Sequence, residues 1–274
     1  MPSELALNSH FEFVGGVHIE AGFDNDLSQH EIRWLEQDVY PITPKFNFKS
    51  IAYVDVKKPN VTFSEQLKKI AIYTTFVGIR YIIDENELLM SEIENVSKNL
   101  KFLEKAGLLL EIQVRISDEL HTSLLLSILS DVPQLTIIIN HAGFPPIANT
   151  SVSNANPRNN SSNNYEMANW KKNLARFAQL PNCFIKCSGF EMQNRNYTPQ
   201  DVFQVISFVH ELFGNDRLML ASNFPLTLFS ASYTAYWQLL YDCAKEAKID
   251  CERVMYLNAR ILYSRKLRGY NNYA

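Results

Sequence analysis

Six polar residues stand where apolar runs of the chain end: Glu20, Arg80, Gln113, His141, Lys186 and Asn223. Each type brings its own chemistry. An imidazole at His141 can accept a proton, ligate a metal or polarise a carbonyl. The Arg80 guanidinium can clamp a carboxylate through two parallel hydrogen bonds. Glu20 can orient a water or an imidazole, while Lys186 and Gln113 can stabilise a developing oxyanion. A lysine in an apolar run has no bland role unless it is paired. One polar residue at a strand end is ordinary. A set that includes an Arg and a His is what a site for an anionic or carbonyl-bearing substrate needs.

These residues need a scaffold, and its clearest strand is Thr136-Ile137-Ile138-Ile139-Asn140, followed by His141-Ala142-Gly143-Phe144-Pro145-Pro146. The run is too short for a helix and too apolar for a surface loop, so it reads as a strand buried on both faces. The chain breaks just after it, leaving His141 at the carboxyl end, where α/β enzymes build their sites. Similar runs recur at 11–20, 51–54, 76–80, 108–114, 182–187 and 217–221. Helical patterning fills the intervals 26–40, 64–73, 91–106, 118–130, 165–180 and 199–213, and two more helices, 233–248 and 251–264, finish the chain. Sustained strand–helix alternation implies parallel strands joined by crossovers, hence the α/β class. Seven strands of this kind suggest a (β/α)-barrel, which needs eight. In such a barrel all six residues would point toward one mouth. Lys186 lies on the opposite strand face from Cys183 and Cys187, which places it inside. The Asn- and Ser-rich stretch 149–164 holds almost nothing apolar, so a flexible loop on the rim near His141 is expected there within a single domain spanning 1–274.

Composition narrows the function classes. A formal charge of −3 gives no electrostatic case for nucleic acid or an anionic membrane. No apolar run is long enough to span a bilayer, and the first residues carry no export signal. Four cysteines in 274 residues are not a disulfide framework, so a reduced cytoplasmic setting is expected. No glycine-rich phosphate loop supports a nucleotide fold. His18 and Glu20 share a strand face but make only a weak metal pair. The partner expected is therefore a small molecule.

Taken in order, several stretches resemble a known family. They are Val17-His18-Ile19-Glu20-Ala21-Gly22-Phe23, Glu31-x-Arg33-Trp34-Leu35, Gly78-Ile79-Arg80, Asn140-His141-Ala142-Gly143, Lys186-x-Ser188-Gly189, Ser222-Asn223-Phe224-Pro225, and Asn258-Ala259-Arg260 before Tyr263. Together they are similar to the amidohydrolase-related group of the amidohydrolase superfamily, which includes sugar-lactone and dicarboxylate-lactone hydrolases. The resemblance implies a (β/α)8 TIM barrel whose site opens a lactone-type ring by water attack, with His141 in the site and Arg80 on substrate carboxylate or hydroxyl groups. It also implies that the seven strands are the second to eighth of the barrel. The first strand, with its paired histidines, is then missing, and 1–8 would be the end of the helix after it. The two open edges this leaves could be covered by a second copy in a homo-oligomer. Many relatives have Asp where this chain has Asn223, and an amide is not a general base at neutral pH. Of the family's divalent metal site, zinc or manganese, only His141 and perhaps Glu20 would remain, short of the three ligands of a catalytic zinc. No tightly bound cofactor is therefore expected. The reading is a hydrolase with His141 catalytic and Glu20, Arg80, Gln113, Lys186 and Asn223 on the substrate. The alternative is a degenerate barrel that binds a small acid or a partner protein without turnover; a metal-dependent decarboxylase ranks third.

Overall fold

The apolar runs become seven strands: β1 (Gly15–Ile19), β2 (Asn47–Tyr53), β3 (Phe76–Ile82), β4 (Leu109–Gln113), β5 (Ile137–Ile139), β6 (Cys183–Cys187) and β7 (Leu218–Leu220). All pair in parallel, in sequential order β1 to β7. The structure, a computed structural model, describes residues 11–23, 26–42, 46–83, 89–147 and 157–264, with 157–163 described as backbone only. Between the strands run α1 (Gln29–Trp34), α2 (Asn60–Ile70), α3 (Ile93–Ala106), α4 (Glu119–Ser130), α5 (Pro157–Ala178), the single turn α6 (Phe190–Gln193) and α7 (Pro199–Arg217); α8 (Tyr233–Glu246) and α9 (Asn258–Tyr263) close the order. The sheet curls into a half-barrel with α1 to α8 packed on its outer face, a TIM-barrel-like α/β fold with seven strands described where a closed barrel has eight. All five residues of β1, an edge strand, are half-exposed, whereas β4 and β5 are buried throughout.

Local chemistry sets the element ends. In α3 the spacing of Val96, Leu100 and Leu103 buries one stripe, and Gly107 ends the helix in the left-handed region at φ 70°. α7 opens with a reciprocal cap: Thr198 Oγ1 accepts from the Asp201 N–H at 3.2 Å, and Asp201 Oδ2 accepts from the Thr198 N–H at 2.8 Å. α5 starts at Pro157, inside the stretch expected to be loop. Proline suits a first helical turn because its missing N–H would have no partner there. Positions 149–156, and the expected helix end at 1–8, lie outside the described residues.

Two apolar clusters divide the sheet by face. The outer cluster joins Ile79, Leu110, Ile112, Ile137, Ile139, Cys183, Ile185 and Cys187 to the surrounding helices. The inner one joins Val17, Ile19, Ile51, Leu109, Ile138, Phe184 and Met219 to Leu262 and Tyr263 of α9. Fully burying one such side chain stabilises by roughly 1.5–3 kcal/mol. Strand alternation and register then identify the inner positions above the inner cluster. Gly78 pairs with Leu109, Arg80 with Glu111 and Ile82 with Gln113, while Lys186 pairs with Met219. Arg80, Glu111, Gln113 and Lys186 therefore share the inner face. Among the described residues, no helix is long and apolar enough to cross a membrane.

Candidate active site

The inner face turns polar toward the carboxyl ends of the strands. Glu111, completely buried on β4, accepts from Lys186 Nζ at 2.7 Å and 2.6 Å on its two oxygens, and from the Tyr263 hydroxyl at 2.6 Å. The Lys186 ammonium also lies 5.4 Å from the centroid of the Tyr263 ring. Burial holds the Lys186 ammonium below the usual lysine range, partly offset by Glu111. The expected inward lysine is thus present and paired.

Arg80 is also committed in part. Its Nε donates to Glu20 Oε1 at 2.7 Å and its Nη2 to the Glu20 carbonyl at 2.7 Å. Glu20 Oε2 accepts from the Gly22 N–H at 2.8 Å. Burial raises the Glu20 carboxyl, against the lowering pull of Arg80. Glu20 therefore acts first as the anchor of Arg80, whose Nη1 side is what remains for a ligand. His18 does not join Glu20; its Nε2 meets Glu31 Oε1 at 2.7 Å.

His141 is buried at the end of β5, with Nδ1 3.0 Å from Ser188 Oγ. Burial first, then the Arg80 and Lys186 charges, push the imidazole down to about 3, so it is neutral near pH 7. The backbone here is unusual: His141, Ala142, Gly143 and Phe144 all have left-handed φ, at 53°, 51°, 67° and 58°. For residues other than glycine this costs on the order of 1–2 kcal/mol each and must be held by the surroundings. The Trp170 indole N–H donates to the Ala142 carbonyl at 2.8 Å, and the Ile116 N–H to the Gly143 carbonyl at 3.2 Å. A Cβ on Gly143 would lie 2.7 Å from Ile116 Cδ1, and one on Gly189 only 2.4 Å from His141 Nδ1. Gly189 thus lets backbone close on the imidazole, and Gly143 lets it close on Ile116.

Asn223 follows β7 at φ 52° and donates from Nδ2 to Glu191 Oε1. Burial raises the Glu191 carboxyl, with the Asn223 hydrogen bond opposing. Gln113 ends β4 on the inner face, and Asn140 Oδ1 beside His141 is buried without a partner. The sequence reading passed over Glu111, Ser188, Glu191 and Tyr263. Glu111 and Ser188 carried a signal, since each lies two residues from a chosen position on the same strand face. Glu191 carried none, because its partner is 32 residues away, and Tyr263 stood only at the end of one of the resembling stretches, 152 residues from its partner.

A divalent metal needs several donors turned to one point. Among the described residues, no three His, Cys, Asp or Glu side chains come together in that way. His141 Nδ1 is engaged by Ser188, and both Glu20 oxygens by Arg80 and Gly22. The described donors thus do not fit a metal centre.

The chain resembles known proteins over most of its length. It is 28% identical over 244 residues to the uncharacterized protein y4mH of Sinorhizobium fredii, an alignment covering 85% of this chain and 74% of that one. Its fold matches an amidohydrolase of Burkholderia multivorans with bound zinc, at a TM-score of 0.71 and 17% identity, over 92% of this chain and 84% of the other. It also matches a probable 2-pyrone-4,6-dicarboxylic acid hydrolase of Acinetobacter baumannii with citric acid bound, at a TM-score of 0.66 and 18% identity, over 92% and 84%. The sequence profile of the amidohydrolase family matches residues 41–265, and the chain belongs to that family.

Proposed function

We propose that the chain is a hydrolase that opens a small carboxylate-bearing lactone by water attack. The observation that carries this reading is a neutral, buried His141 whose imidazole feels two cations, Arg80 and Lys186, from neighbouring inner-face positions. Glu111 neutralises Lys186 and Glu20 takes one side of Arg80, so a substrate carboxylate is held by the remaining guanidinium edge, and an uncharged imidazole can donate a hydrogen bond to a carbonyl there. On this reading Ser188, 3.0 Å from Nδ1, donates to it, and the proton of His141 sits on Nε2, which polarises the lactone carbonyl. A conjugate acid near 3 makes His141 a weak proton acceptor, so carbonyl polarisation is its stronger role. Arg80 offers its Nη1 side to a substrate carboxylate, and Gln113 stands at the end of β4 to hydrogen-bond the oxyanion. The likeness in fold to a dicarboxylic acid hydrolase supports this substrate class.

The test is a panel of aldonolactones and dicarboxylate lactones, 2-pyrone-4,6-dicarboxylate among them, assayed with and without added zinc or manganese. Hydrolysis above background that disappears in His141→Ala supports the reading. Retained binding of a panel member without turnover would replace it with that of a binding protein.

A further inference from the structure

Water attack on a lactone needs a group to take the water's proton. Among the described residues, three glutamates are buried near the carboxyl ends of the sheet, Glu20, Glu111 and Glu191. Two are fully engaged: Glu20 by Arg80 and Gly22, and Glu111 by Lys186 on both oxygens and by Tyr263. Glu191 differs. It is only 5% exposed, its Oε1 accepts from Asn223, and its Oε2 is buried without a partner. Its segment also touches the site, since Ser188 meets His141 Nδ1 and Gly189 packs against the imidazole, two residues before Glu191. Asn223, which holds Oε1, follows the adjacent strand β7.

We propose that Glu191 is the catalytic base of the hydrolysis, with Asn223 as its positioning residue. This inference rests on the hydrolase reading above. Oε2 takes a proton from the attacking water as the water oxygen bonds to the lactone carbonyl carbon. When the ring C–O bond breaks, the same proton passes to the departing ring oxygen, so one water is added and Glu191 ends as it began. Asn223 cannot take up the proton itself, but its amide fixes one carboxylate oxygen and leaves the other to the water. Thr227 Oγ1 and the Tyr197 hydroxyl are likewise buried without partners, and Thr227 donates its N–H to the Asn223 carbonyl at 3.4 Å. A single water can satisfy about three such groups. The titratable groups that face Glu191 are the Tyr197 and Tyr236 phenols, both raised by burial and by the Glu191 charge. Burial also raises Glu191 itself, toward the range in which a carboxylate works as a base near neutral pH.

The experiment compares wild type, Glu191→Gln and Glu191→Asp on a lactone that the wild type opens. Glu191→Gln keeps the shape and an acceptor for Asn223. The expected result is a loss of at least about 100-fold in kcat, a KM within threefold of wild type, and disappearance of the acid limb of the kcat/KM–pH profile, with partial recovery in Glu191→Asp. Turnover in Glu191→Gln within threefold of wild type, with the acid limb intact, would overturn the base and leave the hydrolase reading standing. Failure of the wild type on the whole panel would remove both. The infrared difference between wild type and Glu191→Gln reads the carboxyl C=O band without turnover. Its titration midpoint is expected above the ordinary glutamate value, and a midpoint at or below that value would also overturn the inference.

Discussion

Two buried polar clusters on one sheet are built by opposite rules. At Glu111–Lys186–Tyr263 each carboxylate oxygen has a partner, and the ammonium is neutralised where it sits. At the rim formed by His141, Ser188, Glu191 and Asn223, oxygens of Asn140, Glu191 and Thr227 are buried without partners, and the backbone after β5 runs left-handed for four residues. Satisfied networks rigidify a core; unsatisfied atoms and strained backbone are where, on the proposed function, substrate and water would do the satisfying. On that function, the contrast separates what holds the half-barrel together from what would act.

Mutations can break that separation. The largest effect is expected from Lys186→Met, which leaves Glu111 buried without its cation and should cost about 3–5 kcal/mol of stability in urea unfolding. Acid comes next. His141 titrates near 6.5 in the unfolded chain and is held down to about 3 in the native one. Between those values the unfolded chain binds a proton that the native chain does not. The stability is complete above 6.5 and is lost as pH falls toward 3, by on the order of 2 kcal/mol between pH 7 and 4.5. Glu20 and Glu191, both raised by burial, push the other way at acid pH, so the test is the difference in slope between wild type and His141→Gln.

Gly189→Ala should cost about 1–2 kcal/mol from its left-handed φ alone. Because its Cβ would sit 2.4 Å from His141 Nδ1, it should abolish turnover while the chain stays folded by circular dichroism. Ser188→Ala removes one hydrogen bond to His141 and should cost about 0.5–1.5 kcal/mol, with a larger effect on kcat than on stability. At the other extreme, Lys98→Ala breaks an exposed pair with Glu94 on α3 and should leave the urea midpoint unchanged. A stability loss in Ser188→Ala as large as that in Lys186→Met would erase the distinction between the two clusters.

Much of this was legible in the sequence for a simple reason. A two-residue period fixes which face a side chain takes, so Lys186 could be placed inside from its spacing to Cys183 and Cys187, while Arg80 and Gln113 were expected at the mouth from their places at strand ends. The abrupt end of β5 was legible too, because Gly143 and the prolines after it bar a continuing strand. What spacing cannot give is a partner. Arg80 was read as a free clamp, but Glu20 across the sheet takes its Nε and one Nη2 donor. Asp216 and Arg217 are neighbours in sequence but not partners. Instead Arg217 donates to the Ala178, Leu180 and Cys183 carbonyls, and Asp216 pairs with Arg253. At 157–164, composition outweighed the one local signal, a proline suited to a helix start.

The Tyr263 hydroxyl bond has a consequence for how the chain is made. Glu111 and Lys186 leave the ribosome well before Tyr263, which lies 152 residues beyond Glu111. Strands β4 to β6 can therefore assemble during synthesis with the ion pair closed on two sides only. Its last donor arrives with α9, and contacts this distant in sequence form late. The last described helix, α9, would then act as a latch on vectorial folding: until it docks, the half-barrel carries an unfinished polar centre above its own apolar floor.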